Sequence, residues 1–255
     1  VEITINALPV KTKGFEWSTT LNLSHNKNVV EKLANATYSV KYIDESSREL
    51  SGNHGVYVQR LMEGCPIGQF YTYEWAGYDE NGTSQYYVHD ANTGERTGET
   101  TIDPQDKDRT KVGSAQPKLT LGWNNTLTYN NWSLNMFFQG VFGNKVFNGL
   151  RAQGNAITML SQGKNVFAEA LTEQRYGDVN SQKPSDRYIE NGSYLRLSSM
   201  TLTYRFGKIG DWVNNLSVYA TCNNVFTLTS FKGTDPEVKL GGLTPGIVWR
   251  NNYYP

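Results

Sequence analysis

No apolar run in these 255 residues approaches the roughly 18 needed for a membrane-spanning helix, so a helical membrane protein is excluded. Neither sign of charge is in surplus. The 24 Lys and Arg balance 24 Asp and Glu, leaving no basic excess to draw in nucleic acid and no acidic tail. Cysteine is scarce: Cys65 and Cys222 stand too far apart in sequence for a metal knuckle or a dense disulfide framework. Histidine is scarce too, and His25, His54 and His89 sit at no metal-ligand spacing, so they read as solvated residues of a strand end and loops. No acid and base pair suits hydrolysis, and neither an enzyme nor a cofactor is expected. From Val1 onward there is no basic and apolar leader, so a signal is expected to have been removed or the true N-terminus to lie elsewhere.

What the chain does have is Tyr, Trp, Thr, Asn and Gly, the vocabulary of β-structure. Residues 118–129 alternate, with Leu119, Leu121, Trp123, Leu127 and Tyr129 on one face and Lys118, Thr120, Asn124, Thr126 and Thr128 on the other; Asn125 breaks the pattern. Asn130 and Asn131 follow as a two-residue turn into residues 132–142, where Trp132, Leu134, Met136 and Phe138 oppose Ser133, Asn135 and Gln139. The same period of two recurs over residues 1–7, 15–25, 200–206 and 216–228, the last placing Cys222 among its apolar residues. Such strands suit a tilted bilayer crossing, and Trp17, Tyr129, Trp132, Tyr204, Phe206 and Trp212 near their ends suit an interfacial girdle. A period of two also hides the apolar face from any averaged hydropathy, here −0.56.

Short links at residues 9–14, 130–131 and 207–215 alternate with long ones at 26–116, 143–192 and from 229 onward. Outer-membrane barrels show this asymmetry, with short periplasmic turns and long extracellular loops. Parity requires residues 26–116 to form one long outer excursion, with its own β-ribbon expected at 56–61 and 69–75, or to hold an even number of extra crossings. A soluble β-sandwich also alternates, so a surface glycan-binding domain without transport is the competing reading.

The stretch from Tyr78 to Asn148 resembles the late barrel region of the SusC/RagA-type TonB-dependent transporters of Bacteroidetes. An acidic, glycine-bearing loop leads to Gly-Ser-x-x-Pro-Lys (Gly113 to Lys118), then a Tyr-containing turn, then Phe-Gln-Gly-x-x-Gly-Asn-Lys (Phe138 to Lys145). ENGSYLRLSSMTLTYRFG (from Glu190) and CNNVFTLTSFKGTDPEV (from Cys222) are similar to two further strands of that family. The resemblance implies an all-β chain forming the C-terminal part of a large antiparallel transmembrane barrel of roughly 22 strands, the plug domain and the last strand not being present in residues 1–255. It further implies TonB-dependent import of glycans or oligopeptides across the outer membrane. The implied partners are a SusD-like surface lipoprotein, the TonB-ExbB-ExbD complex acting through the N-terminal part, the substrate, and outer-membrane lipid.

Tyr71, Tyr73, Trp75, Tyr78, Tyr86 and Tyr87 form the densest aromatic cluster and are the candidate substrate-binding residues, since aromatic faces accept sugar rings and apolar side chains. Packing within their own ribbon is the alternative. Asp103, Asp106 and Asp108, with Asp79 and Glu80, are weak candidates for a Ca²⁺ site and match no EF-hand spacing. Arg196 and Arg205 are expected to face the lumen, because Arg at the lipid midplane costs about 2–4 kcal/mol.

Overall fold

The computed structural model describes residues 1–35, 37–45, 57–173, 177–178, 180 and 183–248. Its strands are, in chain order, β1 (Glu2–Lys11), β2 (Phe15–Ser24), β3 (Tyr42–Glu45), β4 (Gln59–Met62), β5 (Gln69–Tyr73), β6 (Trp75–Tyr78), β7 (Ser84–His89) and β8 (Arg96–Thr101). They continue as β9 (Arg109–Ser114), β10 (Leu119–Tyr129), β11 (Trp132–Phe142), β12 (Lys145–Asn148), β13 (Ile189–Asn191), β14 (Tyr194–Ile209), β15 (Val213–Thr229) and β16 (Ile247–Val248). Two compact units result. One comprises Val1–Asn26, Pro117–Gly143 and Ser193–Ser230; the other comprises Lys27–Gln116, Asn144–Gly192 and Phe231–Pro255.

The first unit is a six-stranded sheet in the order β1-β2-β10-β11-β14-β15, every neighbouring pair antiparallel. Its register carries the alternation from strand to strand. One transverse row reads Ile3, Leu23, Leu121, Gly140, Leu195, Leu228; another reads Ile5, Leu21, Trp123, Phe138, Leu197, Phe226. On the opposite face runs Thr4, Asn22, Gly122, Gln139, Arg196, Thr227. That polar face is tied by side-chain bonds: Thr4 Oγ1 donates to Asn22 Oδ1 (2.8 Å), Asn135 Nδ2 to Thr126 Oγ1 (2.9 Å), and Arg196 Nε to Thr227 Oγ1 (2.9 Å). Arg196 and Arg205 both lie on it, the latter opposite Ser217.

The apolar face has one polar spot, and it explains the break at Asn125. Asn125 is opposite Thr19, and two tryptophans of the same face lean over the pair: Trp17 Nε1 donates to Asn125 Oδ1 (3.0 Å) and Trp123 Nε1 to Thr19 Oγ1 (2.8 Å). Asn125 is thereby buried. Aromatic residues gather where the turns are short, with Phe15, Tyr129, Trp132, Tyr204 and Val218 in one row and the Trp132 and Tyr204 ring centroids 4.6 Å apart. A β-bulge at Ser198 shifts the pairing of β14 with β11, so that Leu195 and Leu197 share a face with Met200 and Leu202 despite their opposite parity in sequence.

The links come out shorter than the sequence suggests at one end: β1 runs to Lys11, and β14 and β15 are separated only by Gly210, Asp211 and Trp212. At the other end, β2, β11 and β15 finish where β10 and β14 begin, and every long excursion leaves from there. Because β2 pairs directly with β10, no strand of the described residues between them enters this sheet.

The second unit holds three small sheets. The ribbon expected at 56–61 and 69–75 is instead part of a four-stranded sheet, β3-β4-β5-β9, in which β4 and β5 share one register pair, Gln59 with Phe70, while β5 pairs along its length with β9. Val56 lies outside the described residues. The others are β6-β7-β8 and β13-β12-β16, with β12 and β16 parallel. Val58, Phe70, Ala115, Phe147, Ala152, Tyr188, Ile189 and Ile247 form its core.

Candidate functional site

The six candidate aromatics all fall in the second unit, on β5, β6 and β7, but they are not equivalent. Tyr86 and Tyr73 are buried, their rings 5.8 Å apart, and Tyr86 donates its hydroxyl to the Asn180 carbonyl at 3.1 Å. Burial pushes both phenols above their ordinary range. Tyr71, Trp75, Tyr78 and Tyr87 are half-buried.

Cations occupy much of the ring surface. The Arg60 guanidinium lies 3.7 Å from the Tyr42 centroid and 4.2 Å from that of Tyr71, and Arg187 lies 4.6 Å from Trp75 and 5.2 Å from Tyr78. Arg96 covers Tyr87 at 4.0 Å while gripping Glu74 through two bonds of 2.8 and 2.9 Å. That grip, with a further bond from His89, holds the Glu74 carboxyl below its usual range. His89 is buried and bonded to Glu74 at 2.9 Å, which corrects its reading as a solvated loop residue. His25 is exposed at the end of β2, and His54 lies outside the described residues.

The segment at 178–188 supplies the cluster's remaining partners, and nothing in the local spelling of the aromatic stretch pointed to it. Asp178 accepts from the Ser84 backbone (3.2 Å) and hydroxyl (3.0 Å), Asp186 accepts from the Trp75 backbone N–H (2.8 Å), and Ser185 bridges to Tyr73. Burial raises the Asp186 carboxyl. The only forewarning was compositional: Lys183 and Arg187 beside acids suit a ribbon rich in tyrosine.

The weak Ca²⁺ candidates do not converge. Asp108 caps, accepting from the backbone N–H groups of His89 (3.0 Å) and Gln105 (2.8 Å); Asp106 pairs with Arg109 (3.0 Å); Asp103 accepts from the Gln105 side chain (3.1 Å). Asp79 closes its own turn by accepting from the Asn81 and Thr83 backbone at 2.9 and 2.7 Å. Among the described residues no group of three acidic, His or Cys side chains is placed to hold a metal.

The motif residues at the mouths of the excursions have defined jobs. Gly143 turns at φ +80°, where an added Cβ would meet the Lys118 side chain at 2.9 Å, and its N–H donates to Ser193 Oγ at 2.9 Å. Glu190 accepts from the Lys232 backbone (2.7 Å), from Asn148 (3.2 Å) and from Arg151 (3.2 Å), joining three segments of the second unit.

No family model matches the chain. It is 30% identical over 252 residues to the TonB-dependent receptor SusC of Bacteroides thetaiotaomicron, covering 94% of this chain and 24% of that protein. The TonB-dependent receptors P3 and P26 of Formosa agariphila are 29% and 31% identical over 92% of this chain and 24% and 25% of their own lengths. The chain thus spans about a quarter of the curated relatives it matches. Among solved structures, the RagAB peptide importer in its closed-closed state superposes with a TM-score of 0.73 at 23% identity, over 97% of this chain and 27% of that one. The RagAB peptide transporter gives 0.70 at 21% identity, over 92% and 26%. At those identities the likeness speaks to the fold.

Proposed function

Because this chain is homologous to part of the SusC/RagA-type TonB-dependent receptors, transporters of the outer membrane rather than enzymes, we propose that it supplies wall strands and extracellular excursions to a barrel that imports glycans or oligopeptides. The observation that carries this reading is the six-stranded antiparallel sheet with one face apolar in register and all its long excursions at one end. A single apolar face that no second sheet of its unit covers suits lipid, whereas the sandwich of a soluble glycan-binding domain would need a second layer over it. Lipid also satisfies no backbone group, so such a sheet must continue, strand by strand, into a closed barrel.

Import then works by capture outside, blockage of the barrel by a plug, and opening by TonB with its ExbB and ExbD partners. The plug and the coupling to TonB are assigned to parts of the receptor beyond these residues, the capture to the excursions with a SusD-like lipoprotein as lid. The half-buried faces of Tyr71, Trp75, Tyr78 and Tyr87 are the proposed contacts, with Tyr73 and Tyr86 supporting them from below. The test is uptake of fluorescent oligosaccharides and oligopeptides by cells carrying the full receptor, with and without TonB. Uptake that persists undiminished without TonB would sink the proposal.

A further inference from the structure

We propose that Lys183 and Ser185 form a carboxylate-binding subsite beside the aromatic cluster, an inference that rests on the importer reading and specifies a chemical feature of its substrate. The cations of this cluster are otherwise matched with acids: Arg60 with Asp44 at 2.7 Å, Arg96 with Glu74 at 2.8 Å, Arg109 with Asp106 at 3.0 Å, and Arg187 with Glu169 at 3.7 Å. Lys183 differs. Its ammonium stands 5.8 Å from the Tyr73 ring centroid and 6.0 Å from that of Tyr86, and among the described residues it makes no ion pair. It is half-buried, and that burial lowers its pKa. The charge of Asp103 partly offsets that burial, but Asp103 is exposed and already accepts from Gln105.

Two residues on, Ser185 is 1% exposed and its hydroxyl has no hydrogen-bond partner. Its backbone is extended (φ −153°, ψ 173°) and bridges to that of Tyr73, the residue whose ring centroid lies 5.8 Å from the Lys183 ammonium. A buried donor without an acceptor is costly, and so is a half-buried cation without an anion. A carboxylate answers both at once, one oxygen for the ammonium and one for the hydroxyl, with its carbon skeleton against tyrosine. A neutral sugar hydroxyl supplies no charge. The carboxylate could belong to a peptide or to a uronic acid.

The experiment uses purified full-length receptor in detergent, pulsed with an amine-acetylating reagent, with acetylation of Lys183 read by mass spectrometry against exposed Lys111. Trialanine, trialanine amide, glucuronate and glucose are the probes. Protection of Lys183 by trialanine or glucuronate, but not by the amide or glucose, is the expected result, with Lys111 unaffected. Protection by trialanine alone identifies a peptide source, and protection by glucuronate alone a uronate. Equal protection by charged and neutral probes, or none by either carboxylate, overturns the subsite. Calorimetric titration of both carboxylates into K183Q and S185A receptors gives an independent reading. An affinity loss of about tenfold or more in K183Q, with a smaller loss in S185A, is expected, and unchanged affinity overturns the assignment. Uptake is measured separately, so a receptor that imports without showing protection refutes this subsite and leaves the importer standing.

Discussion

Glu169 shows how a single carboxyl can anchor an excursion. Burial alone would raise its pKa, but a side-chain bond and charge from Arg151, with the charge of Arg187, bring it down to about 2. A carboxyl depressed in the folded state contributes stability above its unfolded pKa near 4.5, and that contribution is lost as pH falls from there through about 2. Protease sensitivity within residues 144–192 should therefore rise over that interval in the wild type, and E169Q should show the low-pH sensitivity already at neutral pH. A flat wild-type profile would contradict this. Gly143 is a backbone case: at φ +80° an L-residue is strained, so G143A should cost about 1–2 kcal/mol, read as a shift in the unfolding midpoint of the full receptor. Packing against Lys118 adds to that cost.

For a strand, the deciding quantity is which face a side chain takes. Leu121 lies in a transverse row with Leu23 and Leu195, whereas Thr120 lies between Ser24 and Val141 on the other face. Arginine at the lipid side costs about 2–4 kcal/mol near the midplane and much less in a wet lumen. L121R should therefore lower stability in denaturant titrations of the bilayer-reconstituted receptor by that amount, and T120R by less than about 1 kcal/mol. Equal losses would mean that the register is slipped by one residue, since a slip exchanges the two faces. The Thr19 and Asn125 pair belongs to this scale as well. Two indole N–H groups donate to it, so a polar spot on the apolar face is shielded rather than bare.

At the scale of the molecule, β1 and β15 each pair with a single neighbour in the six-stranded sheet. Their outer edges present unsatisfied N–H and C=O groups, which hydrocarbon does not tolerate. Residues 1–255 expressed alone should consequently aggregate, or bind membranes only peripherally, and yield no heat-resistant inserted monomer on semi-native gels. A heat-modifiable, protease-protected monomer would refute this. The excursions have a core of their own around Phe70, Phe147 and Tyr188, so their local structure need not fail with the wall.

The wall was legible in the sequence because a strand's period of two depends only on neighbouring residues: apart from Gly122 and Asn125, the residues of 118–129 declare their faces by their own polarity, and Asn130 with Asn131 declares the hairpin. The motifs around Gly113 to Lys118 and Phe138 to Lys145 likewise carried the family resemblance that the relatives bear out. What needed tertiary structure was whatever depends on residues far apart in the chain. That β2 pairs with β10, that Trp17 and Trp123 shelter Thr19 and Asn125, and that the bulge at Ser198 restores the face of Leu195 are long-range facts. The aromatic cluster divides the same way. Its tyrosines were plain from composition, but their burial against residues 178–188 and their coverage by Arg60, Arg96 and Arg187 arise from segments up to about a hundred residues away, and no local pattern encodes such a contact.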